Sequence, residues 1–175
     1  MTDRSTPEEY RAEQRALRSM HRIIGDLLHL ARENEQVGER AATDVRDVAD
    51  RAWRTACRDE DDAELVPDDA LGDVVADEDR LRQLFENLFR NAIDHGGSDV
   101  RVRVVATADG FAVADDGSGV PEADRDRVFD RGYSTSDGGT GFGLYIVREI
   151  ADGHGWAVRL TESDDGGARF EIRAA

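Results

Sequence analysis

The chain has 175 residues, room for one compact domain plus a short extra element, and 39% of them are hydrophobic but only 6% aromatic. Its 39 acidic residues outnumber 23 basic ones, all arginine, for a formal net charge of −16, a balance that disfavours nucleic-acid and anionic-membrane partners. No stretch approaches the roughly 20 apolar residues that cross a bilayer, and a single cysteine, Cys57, excludes an internal disulfide and a cysteine zinc cluster.

The opening Met1-Thr2-Asp3-Arg4-Ser5 is polar and starts no signal segment, so the expectation is a soluble, cytoplasmic chain without membrane contact. From Pro7 to Asn34, Leu17, Met20, Ile24, Leu27 and Ala31 alternate three and four apart, as on a coiled-coil seam. Pro7 with Glu8 and Glu9 suits a first helical turn. So broad a stripe must be buried, and residues 1–38 are expected to pair with another chain or segment, a homodimer for instance. Gly38 breaks the pattern. A second helix from Thr43 to Cys57 follows, marked by Val45, Val48, Ala52, Trp53 and Ala56, with Cys57 a small hydrophobe at the core edge.

Short strands are predicted at Glu64–Val66 and through Val74 and Val75. A long helix from Asp79 to His95 shows Leu81, Leu84, Phe85, Leu88 and Ala92 on one face and stops at Gly96-Gly97. Val100, Val102 and Val104, then Phe111 and Val113, alternate as a hairpin turning at Asp109-Gly110. Gly141 to Asp152 reads as a helix, with His154 at its end. Strands at Trp156–Thr161 and Ala168–Arg173 turn at Asp164-Asp165-Gly166-Gly167. The sum is an α+β fold: a two-layer sandwich of helices on a mostly antiparallel mixed sheet over residues 39–175, behind a long N-terminal helix.

Three constellations carry chemistry. Asn87 and Asn91 lie four apart on one face of the long helix, beside its core stripe. Amide oxygens there suit Mg²⁺ that remains bound to phosphates and water, although two solvated asparagines would give the same pattern. Asp115-Asp116-Gly117-Ser118-Gly119-Val120-Pro121 follows a strand. A carboxylate there can accept from an adenine amino group and select against guanine; an ordinary Asp-Gly turn is the simpler alternative. Gly138-Gly139-Thr140-Gly141-Phe142-Gly143-Leu144 opens a helix whose uncapped amides can hold phosphate, a stronger reading than a flexible linker. No Walker lysine or Rossmann unit is present.

In this order, Asn87-Leu88-Phe89-Arg90-Asn91-Ala92, Asp115-Asp116-Gly117-Ser118-Gly119, Phe129 and Gly139-Thr140-Gly141-Phe142-Gly143-Leu144 resemble the ATPase domain of histidine kinases, in the superfamily shared with gyrase, Hsp90 and MutL. The resemblance covers Thr43 to Ala175 and implies ATP and Mg²⁺ as cofactors. It implies that Asn91 binds the metal, with Asn87 and His95 near the nucleotide. Asp115 would hold the adenine amino group, in a base pocket with Gly117, Gly119 and Val120. Pro121 to Gly139 would form a lid, with Arg131, Tyr133, Ser134 and Thr135 near the phosphates, and Gly139, Thr140, Gly141, Phe142, Gly143 and Leu144 would meet the triphosphate. Asp94 departs from the family, standing where many members have a lysine.

The family phosphorylates a histidine in a His-Glu/Asp-x-Arg-x-Pro context, and no such box is present. The N-terminal arm resembles the second helix of the dimerisation hairpin that bears it, and His21 and His29 read as helix-surface residues. The resemblance therefore implies a two-component sensor kinase region that donates the γ-phosphate of Mg-ATP to a histidine outside these motifs, with a response-regulator receiver domain as downstream partner. A non-catalytic ATP-binding dimerisation module and an anti-sigma-factor-like serine kinase are the alternatives.

Overall fold

The computed structural model describes Met20 and residues 38–57, 62–97, 99–134 and 140–174. The arm expected over Pro7 to Asn34 thus lies, apart from Met20, outside the described residues. The remaining elements are β1 (Ala41–Asp44), α1 (Val45–Ala56), β2 (Glu64–Pro67), β3 (Asp73–Ala76), α2 (Glu78–Gly96), β4 (Arg101–Thr107), β5 (Gly110–Asp115), α3 (Gly143–His154), β6 (Ala157–Glu162) and β7 (Ala168–Arg173). Five strands form one sheet in the order β2-β4-β5-β7-β6, with β2–β4 parallel and the other pairs antiparallel. β1 and β3 make a separate antiparallel ribbon. No described helix is long and apolar enough to cross a membrane.

The register builds the core in rows. Val104, Val113, Phe170 and Leu160 stand opposite one another across four strands, and Ala106, Phe111, Ile172 and Val158 form the next row. Each fully buried side chain of this size stabilises by about 1.5–3 kcal/mol. The three helices cover this face. α2 lies in the middle, with Leu81, Leu84, Phe85, Leu88 and Phe89 sealed from solvent. Phe85 meets Phe111 at 5.1 Å and Phe89 at 5.5 Å between ring centroids, and Trp53 of α1 stands edge-on to Phe89 at 5.2 Å.

Several boundaries differ from the sequence expectation, each for a local reason. The second helix starts at Val45 because Asp44 is its cap, accepting from the Asp47 amide at 2.8 Å, while residues 41–44 pair with β3 as a strand. The hairpin turns through Ala108-Asp109, since Thr107 and Gly110 are already paired. α3 begins at Gly143 rather than Gly141, whose φ of +69° is left-handed and incompatible with a right-handed helix. The strand after it runs one residue later than expected, and half-buried Cys57 ends α1.

The ends of α2 and α3 remote from the glycine motifs are tied together by His154. Its buried ring donates through Nδ1 to the Ile150 carbonyl at 2.7 Å and accepts through Nε2 from the Asp77 amide at 3.0 Å. The ring stacks on Trp156 at 4.3 Å. Arg40 places its guanidinium on the carbonyls of Gly153 and His154 at 2.6 and 3.1 Å, at the negative end of α3. Asp77 caps α2 and also accepts from the Gly38 amide. These bonds require a neutral imidazole. Burial, with Arg40 and Arg80 nearby, lowers the His154 pKa below its ordinary 6.5.

A histidine that is harder to protonate when folded favours the folded state fully above pH 6.5 and progressively less as pH falls through its folded pKa. The melting temperature is therefore expected to fall between pH 7 and 5.5, with a shallower slope in His154→Gln. Equal slopes in calorimetric scans would remove His154 as the cause.

Candidate functional site

The core thins at one end of the sheet. Val102 faces Asp115 one rung beyond the Val104–Val113 pair, so the pleat places this carboxylate on the helix-covered side. Asp115 is only 8% exposed. Its Oδ1 accepts from the amides of Gly117 at 2.9 Å and Ala168 at 3.1 Å. Both bonds end on the same oxygen, and Oδ2 is left facing a cleft. Burial raises the Asp115 pKa, while the two amide bonds oppose the shift.

Close backbone packing makes this seat. A Cβ on Gly167 would overlap the Asp115 carbonyl and carboxylate oxygens, and one on Gly117 would lie 2.6 Å from the Gly96 Cα. The first glycine loop is thereby pressed against the end of α2, and the cleft opens between α2, the loop after β5 and the start of α3.

Along α2, Asn87, Asn91 and His95 line the cleft. Asn87 is mostly buried and donates from Nδ2 to the Gln83 carbonyl at 2.9 Å, turning Oδ1 toward Gly143, where an added Cβ would be 3.5 Å away. Asn91 forms no hydrogen bond among the described residues. After β5, Asp115, Gly119 and Val120 join the wall, followed by Tyr133 and Ser134, then by Thr140, Gly141, Gly143 and Leu144. The N-cap of α3, Phe142, provides no side-chain bond to the first turn, so that end of the helix meets the cleft through its own amides.

Other sequence-predicted residues are placed differently. Gly117 lies behind Asp115 as a support. Arg131 sits over the Phe142 ring at 5.8 Å, and neither belongs to the wall. Thr135 and Gly139 lie outside the described residues. The neck of this loop is closed by the Gly132 amide donating to the Gly141 carbonyl at 3.0 Å, and a Cβ on Gly141 would overlap the Gly132 backbone. Phe129 is buried edge-on to Phe170 at 6.3 Å, anchoring the loop's first half to the sheet.

The wall also includes Arg90, Asp94, Gly96, Asp124 and Ala168. Arg90 and Asp94 could be found from the sequence, being three and seven positions after Asn87 on one helix. Ala168 could not, because its approach to Asp115 depends on the pairing of strands far apart in the chain.

The donors fit a Mg²⁺ nucleotide better than a protein-caged metal. No group of three histidine, cysteine or carboxylate ligands exists among the described residues. The cleft instead offers the Asn91 amide, one unclaimed buried carboxylate oxygen and a helix N-terminus. That set suits a cation brought in with its phosphates and water.

Residues 76–175 match the family described as histidine kinase-, DNA gyrase B-, and HSP90-like ATPase. The chain belongs to that family. Among curated proteins it is 34% identical over 181 residues to the sensor-type histidine kinase PrrB of Mycobacterium tuberculosis, covering 95% of this chain but 40% of that one. The crystal structure of the ATP binding domain of PrrB superposes with a TM-score of 0.63 at 32% identity, covering 78% of this chain and 97% of that one. Full-length ShkA in complex with AMPPNP gives a TM-score of 0.68 at 32% identity, covering 97% of this chain and 39% of that one.

Gly167→Ala is expected to destabilise the fold by about 1–3 kcal/mol in urea denaturation, because the new methyl would meet the backbone carbonyl of Asp115, which cannot swing aside as a side chain can. An unchanged midpoint would show that β7 does not approach Asp115 this closely.

Proposed function

We propose that this chain is the ATP-binding catalytic region of a two-component sensor histidine kinase. The observation that carries the reading is the unclaimed Oδ2 of Asp115 at one end of a cleft whose other end is the uncapped start of α3 beside Asn87. Asp115 accepts from the adenine amino group, while Gly119 and Val120 flank the base, with His95 nearby. The buried carboxylate favours adenine over guanine, whose corresponding carbonyl would leave Oδ2 facing another acceptor.

The phosphates extend along α2 toward Asn87, Thr140 and the amides of Gly143 and Leu144. Asn91 would hold Mg²⁺ through its amide oxygen, and the charge neutralisation such an ion provides would fall on the phosphates. By the same resemblance, the segment that carries Arg131, Tyr133, Ser134, Thr135 and Gly139 would cover them. A histidine nitrogen on a helical hairpin attacks the γ-phosphorus, the bond to the β-phosphate oxygen breaks, and ADP leaves with that electron pair. This domain's part is positioning and electrostatic stabilisation. Residues 1–38 support the same reading, since their seam suits the second helix of a dimerising hairpin. A receiver domain takes the phosphoryl group onward. A cytoplasmic location and a salt-rich habitat are further parts of the proposal, resting on the acidic, lysine-free composition.

Mg²⁺-dependent ATP binding is expected, and Asn91→Ala should weaken that dependence while Asp115→Asn narrows the preference for ATP over GTP. Titration calorimetry with and without chelator checks both; unchanged binding in Asn91→Ala would sink the metal assignment. Incubation with γ-labelled ATP should leave this chain almost unlabelled, and adding a hairpin with a His-Glu-x-Arg-x-Pro box should give acid-labile label on the hairpin. Binding without transfer would favour a silent regulatory module instead.

A further inference from the structure

The chain must hold a polyanion with no lysine and a large excess of acid. Its cleft shares the problem, since Asp94, Asp115 and Asp124 all line it. Among the described residues, Arg90 is the one arginine in the wall. Neighbouring arginines are turned to other tasks. Arg125 donates to the Val120 carbonyl at 3.1 Å, Arg127 lies over the Tyr133 ring at 5.4 Å, and Arg131 lies over Phe142.

The cleft has a direction, and it places Arg90. Gly96, near one end of α2, packs against Gly117 beside the Asp115 carboxylate, whereas Asn87, about two and a half turns earlier, faces Gly143 at the start of α3. Arg90 follows Asn87 by three residues and precedes Asn91 by one, in the half of the cleft nearest the helix N-terminus. Asp94 stands about 6 Å further along the helix axis toward Gly96. The helix therefore presents its positive charge at the α3 end and its negative charge nearer Asp115.

Glu86 holds that charge without consuming it. Its Oε1 takes a 2.7 Å contact from Arg82, which also reaches Asp79 at 3.4 Å. Its Oε2 is 3.6 Å from an Arg90 terminal nitrogen, longer than a hydrogen bond. Glu86 is 13% exposed at the side chain and Arg90 40%, so the anchor is largely covered and the guanidinium remains open on its cleft side. A guanidinium suits phosphate because its planar fork donates to two oxygens at once.

We propose that Arg90 is the phosphate-binding cation of this cleft, taking the polyphosphate end of the nucleotide while Glu86 acts as its positioning residue. The proposal rests on the nucleotide reading of the cleft. It assigns the counter-charge to a residue one turn from the position where Asp94 replaces the family's lysine.

The test compares wild type, Arg90→Gln and Arg90→Lys by displacement of a fluorescent ATP analogue, with ATP and adenosine as competitors in Mg²⁺ buffer at several salt concentrations. Arg90→Gln is expected to weaken ATP about tenfold or more, to leave adenosine unchanged, and to flatten the salt dependence of ATP affinity. Arg90→Lys should recover part of the loss and the slope. Equal weakening of ATP and adenosine would mark Arg90 as structural and overturn the proposal, as would ATP affinity and salt slope both unchanged. Wild type that binds no ATP would overturn the nucleotide reading itself, a result distinguishable from normal wild-type binding with an indifferent Arg90.

Discussion

A buried carboxylate at the edge of a hydrophobic core is the constraint on which the rest of the structure turns. Asp115 continues the inward face of β5 after Phe111 and Val113, where another apolar side chain would complete the row. A charge there is costly unless hydrogen bonds compensate for lost water. Two backbone amides do so, but only because glycines at 117 and 167 let two separate stretches of main chain close around one oxygen. The neighbouring residue on β7 is Ala168, where the deeper rows carry Phe170 and Ile172. Small residues thus make both the seat of the carboxylate and the space in front of it.

α2 serves the core and the cleft with one helical period. Leu81, Leu84, Phe85, Leu88 and Ala92 are buried against α1 and the sheet, and Asn87 and Asn91 lie where that stripe meets the cleft. Because Phe85 and Phe89 are locked by aromatic neighbours, the rotation of the helix and the aim of its asparagines are fixed by packing. At the opposite end, Asp77, His154 and Arg40 join the start of α2 to the finish of α3. The two helices that border the cleft are therefore braced at their far ends, where the chain enters from Gly38.

What could be read from the sequence was local. The stripe on α2, the alternation in β4 and β5 and the glycine runs reflect periods of a few residues, and the asparagines and Asp115 fall where those periods place them. The short β1 leaves no signal in the sequence, because Ala41–Asp44 has one buried position, Thr43, and no alternation of apolar side chains. Strand order was beyond local reading as well. The Ala168 amide reaches Asp115 across 53 positions, and only the β5–β7 pairing brings them together. The family resemblance implies a place for Gly117 in the base pocket, and a glycine does allow close approach. Here the approaching group is the protein's own Gly96.

Electrostatics links the composition to the site. An excess of carboxylates repels an anionic ligand at long range, but salt screens exposed charges beyond about 8–10 Å, so local geometry decides what binds. In the cleft that geometry is graded: the uncapped amides of α3 and the guanidinium of Arg90 lie toward Asn87, and Asp115 lies at the other end beside Gly96. A ligand with a hydrogen-bond-donating base and an anionic tail fits such a gradient in one orientation only. In a chain without lysine, that orientation falls to backbone dipoles and arginine, whose charge survives at any pH the fold tolerates.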